Sequence, residues 1–272
     1  AGGPFDKSTS KLKAGFIIEK IDGEEITNDV DWNKFLNRKS AKNTLISLFD
    51  PATNSRFEEV VKPINFGEEA ALMYKRWIRK MDDMVNKLSD GKVGYVHVQG
   101  MNDGSYRNTF DAVMGKNFDK EALIVDTRFN GGGWLHDDLA TFLSGKRYLD
   151  FAPQGNRLKD GEPMGRWSKP SVVLMSESNY SDAFIFPYVY KQNGIGKLIG
   201  MPVPGTGTFV WWETQIDPTL VFGIPMGGWR TEDGKFCENN QMEPDIRVPN
   251  DPGILSSGRD QQIEEAVKEL LK

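Results

Sequence analysis

The sequence predicts an α/β protein in which a small β-rich region precedes a larger α/β core. Strand-like and helix-like segments alternate over about 110 residues of the second half, whereas residues 1–66 are dominated by strand-like runs. Hydrophobic residues make up 38% and charged residues 27% of the 272 positions, as in ordinary globular proteins. We therefore expect two domains, residues 1–66 and residues 67–272, the second large enough for a sizeable core.

The elements of the first region follow from its turns. Residues 12–26 read as a strand closed by the Asp22-Gly23 turn. Residues 28–37 are predicted to form a short helix capped by Asn28 or Asp29. Two further strand-like runs follow, at residues 44–49 and 57–62.

The second region opens with the longest helical pattern, residues 67–88, whose apolar positions recur at helical spacing. Strands are predicted at residues 93–98, 122–126, 171–175 and 197–200. Helices are predicted at residues 105–114, 134–143, 182–192 and 263–271, with hairpins or long loops between residues 205 and 229.

Composition excludes several functions. The net charge of −5, without a basic cluster interleaved with aromatics, argues against nucleic-acid binding. The single cysteine, Cys237, excludes an intrachain disulfide framework and a cysteine-based zinc cluster. No run approaches ~18 apolar residues, the length needed to span a membrane. The first residues lack the features of a signal peptide, and a cytoplasmic or a periplasmic location is equally compatible with the chain.

Ser181 lies where the predicted strand 171–175 leads into the predicted helix 182–192. At such a junction the first helical N–H groups have no intrahelical partner and the helix dipole is positive. The Ser181 hydroxyl can therefore be an ordinary N-cap. It can also be a nucleophile whose developing oxyanion is bound by the next backbone N–H group.

The Asn130-Gly-Gly-Gly133 turn follows one apolar strand and opens a helix. Its glycines let the backbone approach a ligand and direct N–H groups at an anion, although a plain helix-entry turn is the alternative. Phosphate binding is not supported, because the turn lacks the Lys-Ser/Thr and the G-x-G-x-x-G spacing. The histidines His97 and His136, 136 − 97 = 39 residues apart, are each predicted to be a structural or a surface histidine and lack a metal-ligand pattern. We expect neither a metal nor a cofactor.

Three separated stretches together resemble the tricorn-type serine peptidases and, more distantly, the C-terminal-processing peptidases. They are Gly94-Tyr-Val-His-Val98 with Ala122–Gly133, Tyr180-Ser-Asp182 with Gly194–Gly200, and Cys237–Ile246 with Leu255–Ile263. The resemblance covers residues 67–272 and implies a crotonase/ClpP-like α/β peptidase core. The first region resembles the later portion of a bacterial-type PDZ domain, without the strand that receives the peptide.

The resemblance also implies roles for individual residues. Ser181 matches the nucleophile, and the backbone N–H groups of Gly133 and Asp182 match the oxyanion hole. Glu238 matches the acid that supports the catalytic histidine through a neighbouring serine, and we prefer it to Glu243.

Two neighbours, Asp150 and Phe151, fall near the position that shapes the pocket for the residue preceding the cleaved bond. An acid there would suit basic residues and a phenylalanine would not, so the sequence leaves specificity open.

The chain departs from the family pattern at the catalytic base. No residue matches the Ser-His pair that precedes the PDZ domain in tricorn-type enzymes. Lys191 and Lys197 come too early after Ser181 for the Ser-Lys dyad of the processing peptidases. We therefore expect the catalytic histidine in an upstream segment absent here, and negligible peptidase activity for these 272 residues alone.

The sequence leaves three functions open. The first is a serine peptidase that cleaves oligopeptides or unfolded chains. The resemblance to tricorn-type peptidases is compatible with a homo-oligomer. The second is a catalytically inert pseudo-peptidase that binds peptides. The third and weakest is crotonase-like chemistry on acyl thioesters, in which the Tyr180-Ser-Asp182 stretch would have no role.

Overall fold

A computed structural model describes residues 2–150 and 161–272, which form two compact units. One unit ends at Lys80 and the other is Met81–Lys272. The sequence predicts the domain boundary at residues 66/67, whereas the units divide within a helix, Phe66–Leu88.

The first unit is built on a four-stranded antiparallel sheet. Its strands are β1 Ile17–Ile21, β2 Glu24–Glu25, β3 Thr44–Asp50 and β4 Ser55–Val61, in the order β2-β1-β3-β4. The predicted Asp22-Gly23 turn joins β1 and β2, with φ of 49° and 85°. Both residues thus have the left-handed backbone that a tight type I′ hairpin turn requires.

The predicted helix at residues 28–37 is shorter than expected. The structure contains a 3₁₀ helix, Trp32–Leu36, capped by Asp31, whose side chain accepts a hydrogen bond from the N–H of Asn33. Asp29, one of the two predicted caps, instead accepts a hydrogen bond from the Thr27 hydroxyl at 2.6 Å. The cap, Asp31, therefore lies two residues after Asp29, the second of the two predicted caps.

The core of this unit is small and partly open. Four apolar side chains of the sheet are buried: Ile21, Ile46, Leu48 and Val61. A cavity of about 800 Å³ opens beside them, and apolar side chains such as Ile18 and Trp32 form much of its lining. This volume is within the range of about 300–1,000 Å³ that is usual for ligand pockets.

The second unit contains the remaining elements. Its strands are β5 Val93–His97, β6 Ala122–Asp126, β7 Leu149–Asp150, β8 Gly161–Glu162, β9 Ser171–Met175, β10 Lys197–Gly200, β11 Thr208–Thr214, β12 Val221–Gly228 and β13 Ile246–Arg247. After α1 (Phe66–Leu88), the helices are α2 Asp103–Met114, α3 His136–Leu143, α4 Asp182–Gln192, α5 Pro252–Ser256 and α6 Gln261–Leu270.

Five parallel strands, in the order β13-β10-β9-β6-β5, form the centre of this unit. All five residues of β6 and all five of β9 are buried, as expected for parallel strands covered by helices on both faces. The carboxyl ends of β6 and β9 therefore lie side by side at one edge of the sheet, where the Asn130 turn and the Ser181 junction follow. The predicted mixed α/β fold is confirmed.

The strands β11 and β12 pair with each other in a two-stranded hairpin. Large apolar side chains of the hairpin are exposed, among them Trp211, Trp212 and Phe222. In the part of the chain that the structure describes, no helix has the length and apolar character required to cross a bilayer.

Candidate active site

Ser181 directly precedes α4 in a backbone conformation that is rare for residues other than glycine. Its φ is 54° and its ψ is −123°, outside the region favoured by L-amino acids. The Ser181 side chain makes no capping hydrogen bond to α4. Of the two interpretations open from the sequence, the ordinary N-cap is thus not the geometry found. A sharp strand-to-helix turn is the geometry that a nucleophilic serine requires.

Three contacts hold this strained turn. The N–H of Ser181 donates to the Thr206 hydroxyl oxygen at 2.8 Å, and the N–H of Tyr180 donates to the carbonyl of Asn130 at 3.0 Å. Gly132 packs directly against the turn, because a Cβ on Gly132 would lie 2.6 Å from the Ser181 Cβ. The surrounding structure therefore imposes the conformation of Ser181.

The glycine turn is itself ordered by hydrogen bonds. The Asn130 side chain accepts from the N–H of Gly132 at 2.8 Å, and the carbonyl of Gly132 accepts from the N–H of Met101 at 2.9 Å. Gly133 has a φ of 141°, and a Cβ there would lie 2.0 Å from the Met101 carbonyl oxygen. These positions require glycine, so the run of glycines is more than a flexible helix entry.

Two backbone N–H groups beside Ser181 are without a partner among the described hydrogen bonds. They belong to Gly133 and Asp182, and both residues line a recess of about 20 Å³ together with Ser181. A space of this size holds about one water-sized group. The recess can therefore accommodate a single oxyanion oxygen but not a substrate side chain.

Glu238 does not line the recess but binds a residue that does. Its carboxylate accepts a hydrogen bond from the N–H of Thr208, a lining residue, at 2.8 Å. The segment carrying Glu238 is held there because the N–H of Asn239 donates to the carbonyl of Gly205 at 2.9 Å. Glu243 is exposed and is paired with the nearby Gln241 side chain, so the preferred acid is the one adjoining the recess.

His136 is buried beside the recess and bound to Asp182. Its Nδ1 lies 2.5 Å from Oδ1 of Asp182, and its ring packs edge-on against Trp229 at a centroid distance of 5.2 Å. None of the described hydrogen bonds joins His136 to the Ser181 hydroxyl. Of the two predicted placements of His136, structural or surface, its burial excludes the surface.

His97 lies at the end of β5 and its Nε2 is 2.8 Å from the carbonyl oxygen of Arg128. Burial lowers the pKa of His97, because the charged imidazolium is disfavoured away from water. His97 is therefore a partly buried residue bound to the backbone that follows β6.

A second polar network lies at the same edge of the sheet. Arg128 binds the carboxylates of Asp126 and Asp260 at 2.7 and 2.8 Å, and all three side chains are at most 3% exposed. Burial alone would raise the pKa of Asp126, but the adjacent Arg128 guanidinium holds it below its ordinary value. In this network one buried guanidinium is shared by two buried carboxyl groups, so each polar group has a partner.

The predicted specificity residues lie away from the recess or outside the described part of the chain. Asp150 is in the short strand β7, is exposed, and pairs with Arg147 at 2.7 Å. Phe151 lies outside the described residues. Within those residues, no group of three or more His, Cys, Asp or Glu side chains could hold a metal ion.

Sequence reasoning missed three contributors to the site. The first is Thr206, which binds the Ser181 N–H although it lies 25 residues away along the chain. The second is the contact between His136 and Asp182, which no local pattern predicts because the two residues are 46 positions apart. The Asn130 side chain was predictable, because asparagine commonly binds the N–H group two residues ahead.

The model of peptidase family S41 matches residues 92–248, more than half of the chain. The chain belongs to peptidase family S41. This S41 chain is 27% identical over 259 residues to the tricorn protease of Thermoplasma acidophilum, which covers 95% of this chain and 24% of that protein. It is 28% identical over 265 residues to a putative tricorn-like protease C-terminal subunit of Sulfurisphaera tokodaii, covering 96% of this chain and 30% of that protein.

A crystal structure of the tricorn protease has the same fold, with a TM-score of 0.81 at 24% identity, over 95% of this chain and 25% of that chain. The resemblance to tricorn-type S41 peptidases is therefore confirmed, whereas the PDZ-like assignment stays a prediction. The S41 chain spans less than a third of the length of these relatives.

Proposed function

We propose that this chain carries the nucleophile of a serine peptidase and that Ser181 attacks the carbonyl carbon of a peptide bond. The observation that carries the proposal is the strained backbone of Ser181 beside a recess containing the N–H groups of Gly133 and Asp182. Membership of a peptidase family supports it independently.

The reaction would proceed in two stages. The Ser181 Oγ forms a bond to the carbonyl carbon while its proton passes to a base, and the carbonyl electron pair becomes an oxyanion bound by the N–H groups of Gly133 and Asp182. Collapse of this intermediate breaks the C–N bond, and the amine leaves with the proton from the base. Water then attacks the acyl-enzyme by the same steps and releases the acid.

The base is assigned to a histidine outside these 272 residues. His136 is bound to Asp182 and His97 is close to the Arg128 carbonyl, and neither makes a described hydrogen bond to the Ser181 hydroxyl. By the family resemblance, Glu238 orients this histidine through a serine that accompanies it. The contact of Glu238 with Thr208 supports a position beside the reacting groups.

The substrates proposed are oligopeptides or unfolded chains. Trp134 directly follows Gly133 in the sequence, and Tyr180 directly precedes Ser181. Their side chains are 61% and 60% exposed, and exposed aromatic side chains can contact an extended peptide. By resemblance, Asp150 and Phe151 remain proposed pocket residues. The exposed ion pair of Asp150 with Arg147 supports no preference for a basic substrate residue.

The second candidate is a peptide-binding protein without catalysis. The open apolar cavity of about 800 Å³ in the first unit favours this function, because it has the size and lining of a ligand pocket. The two candidates differ in whether Ser181 reacts.

Labelling with a fluorophosphonate probe separates them. The probe is applied to this chain, to the full-length product of its gene, and to the full-length Ser181→Ala variant. We expect labelling of the full-length protein, none of the variant, and negligible labelling of this chain alone. Absence of labelling from all three would favour the peptide-binding function, and strong labelling of this chain alone would refute an external base.

A further inference from the structure

We infer that the Asp182 carboxylate and the His136 imidazole form a clamp that fixes the distance between the two oxyanion-hole N–H groups. Both are positioning residues in this inference, which rests on the proposed function. The clamp joins two turns that are more than 40 residues apart in the sequence. One is the turn Tyr180-Ser181-Asp182, here called the nucleophile turn, and the other is the glycine turn at Asn130–Gly133.

The first step is the set of bonds made by the Asp182 carboxylate, which is 4% exposed. One oxygen, Oδ2, accepts from the backbone N–H of Leu135 at 2.5 Å and of His136 at 3.1 Å. The other oxygen, Oδ1, lies 2.5 Å from Nδ1 of His136. All three partners belong to the segment that directly follows Gly133, whereas the Asp182 N–H belongs to the nucleophile turn.

These bonds replace a cap that α3 lacks. Leu135 occupies the N-cap position of α3 and makes no side-chain capping bond, so the first N–H groups of the helix would otherwise lack an acceptor. Asp182 supplies that acceptor from the neighbouring turn. The start of α3, and with it the adjacent Gly133, is thereby fixed relative to Ser181.

Aromatic packing holds the His136 ring in the required orientation. The ring contacts Trp229 at 5.2 Å and Trp134 at 5.9 Å between centroids, and the residue is 8% exposed. Both tryptophans also line the recess. The imidazole therefore cannot turn away from Asp182 without displacing the walls of the site.

The consequence for catalysis follows from geometry. Hydrogen-bond donors stabilise an oxyanion only when they are pre-positioned, and a displacement of about 1 Å can lower a rate about 100-fold. A variant that breaks the clamp leaves both N–H groups present, because they belong to the backbone. It should therefore slow the chemical step while leaving the initial binding of a probe unchanged.

Two substitutions of His136 test this. In the full-length protein, His136→Leu keeps the bulk of the ring but removes the group facing Asp182, whereas His136→Asn places an amide donor near the position of Nδ1. The control is His97→Leu, which removes the partly buried histidine at the end of β5. For each variant, the maximal rate of fluorophosphonate labelling, the half-saturating probe concentration and the melting temperature are measured.

We expect His136→Leu to lower the maximal labelling rate about 10- to 100-fold without changing half-saturation. His136→Asn should restore the rate to within about threefold of the unmodified protein, and His97→Leu should change the melting temperature more than the rate. Equal rates for His136→Leu and the unmodified protein would overturn the inference. Equal losses for leucine and asparagine would overturn it too, because the imidazole would then act in the chemistry itself.

A second measurement does not depend on activity. In this chain labelled with ¹⁵N-histidine, proton NMR should reveal a downfield imidazole N–H resonance of His136 that is lost in Asp182→Ala. Persistence of that resonance in the variant, or its absence from the unmodified chain, would refute the clamp. If the clamp resonance is present but the full-length protein is not labelled at Ser181, the proposed function fails and the clamp remains as a structural feature.

Discussion

Two polar clusters lie at the same edge of the parallel sheet, and they use their hydrogen-bonding groups in opposite ways. Around Arg128, the guanidinium binds Asp126, Asp260 and Gln262, and the Asp126 carboxylate also accepts from the Tyr95 hydroxyl at 2.8 Å. Around Ser181, the backbone is strained, and the N–H groups of Gly133 and Asp182 make no described hydrogen bond.

The difference separates a cluster whose polar groups are paired from the cluster that we propose to be reactive. A buried network in which every charge is paired stabilises a single arrangement and leaves nothing to bind a ligand. In our proposal, donors without a partner among the described hydrogen bonds, next to a hydroxyl in a strained turn, receive a group that arrives during a reaction. Burial and polarity alone would not have distinguished the two clusters.

The largest effect on stability is expected from Arg128→Leu. The substitution leaves the carboxylates of Asp126 and Asp260 buried without a cation, which costs about 3–5 kcal/mol of the free energy of unfolding. The matched control, Arg107→Leu, removes an exposed ion pair with Asp103 and should cost less than about 0.5 kcal/mol. Urea denaturation of this chain measures the free energy of unfolding of both variants. Similar losses would contradict the expectation that the buried network of Arg128 stabilises the fold more than the exposed ion pair of Arg107.

Gly132→Ala should mainly affect the reactive cluster. Its Cβ would lie 2.6 Å from the Ser181 Cβ and 2.7 Å from the Tyr180 carbonyl oxygen, so the nucleophile turn must shift. Losing one oxyanion donor costs about 100- to 1,000-fold in rate, and we expect a fall in labelling of the full-length protein of at least about 100-fold. Gly131→Ala is the control, because its Cβ would meet no atom within 4 Å; equal labelling of the two variants would refute this account.

Thr206→Val should have the smallest effect of the three. It keeps the shape of the side chain but leaves the N–H of Ser181 without its acceptor at 2.8 Å. One such bond contributes about 1 kcal/mol, which corresponds to a fall in labelling rate of about fivefold. Thr206→Ser keeps the hydroxyl and should retain the rate, whereas a serine variant as slow as the valine variant would show that the methyl group is what matters.

Much of the fold followed from local sequence patterns. The strands at residues 122–126, 171–175 and 197–200 and the helix at residues 182–192 have the predicted bounds, because continuous apolar runs with turn residues on both sides are strong signals. The helix predicted at residues 134–143 begins at His136 instead. Its start depends on Asp182, a partner that no local pattern reveals.

The sequence by itself determined the α/β class, the resemblance to tricorn-type serine peptidases and the positions of Ser181 and the glycine turn, because these depend on short-range periodicity and on motif order. Tertiary structure decided how the pieces act together. Only the folded chain brings Thr206 to the Ser181 N–H, Glu238 to Thr208 and Asp182 to His136. The physical reason is that parallel strands joined by long crossovers place distant residues at one edge of the sheet.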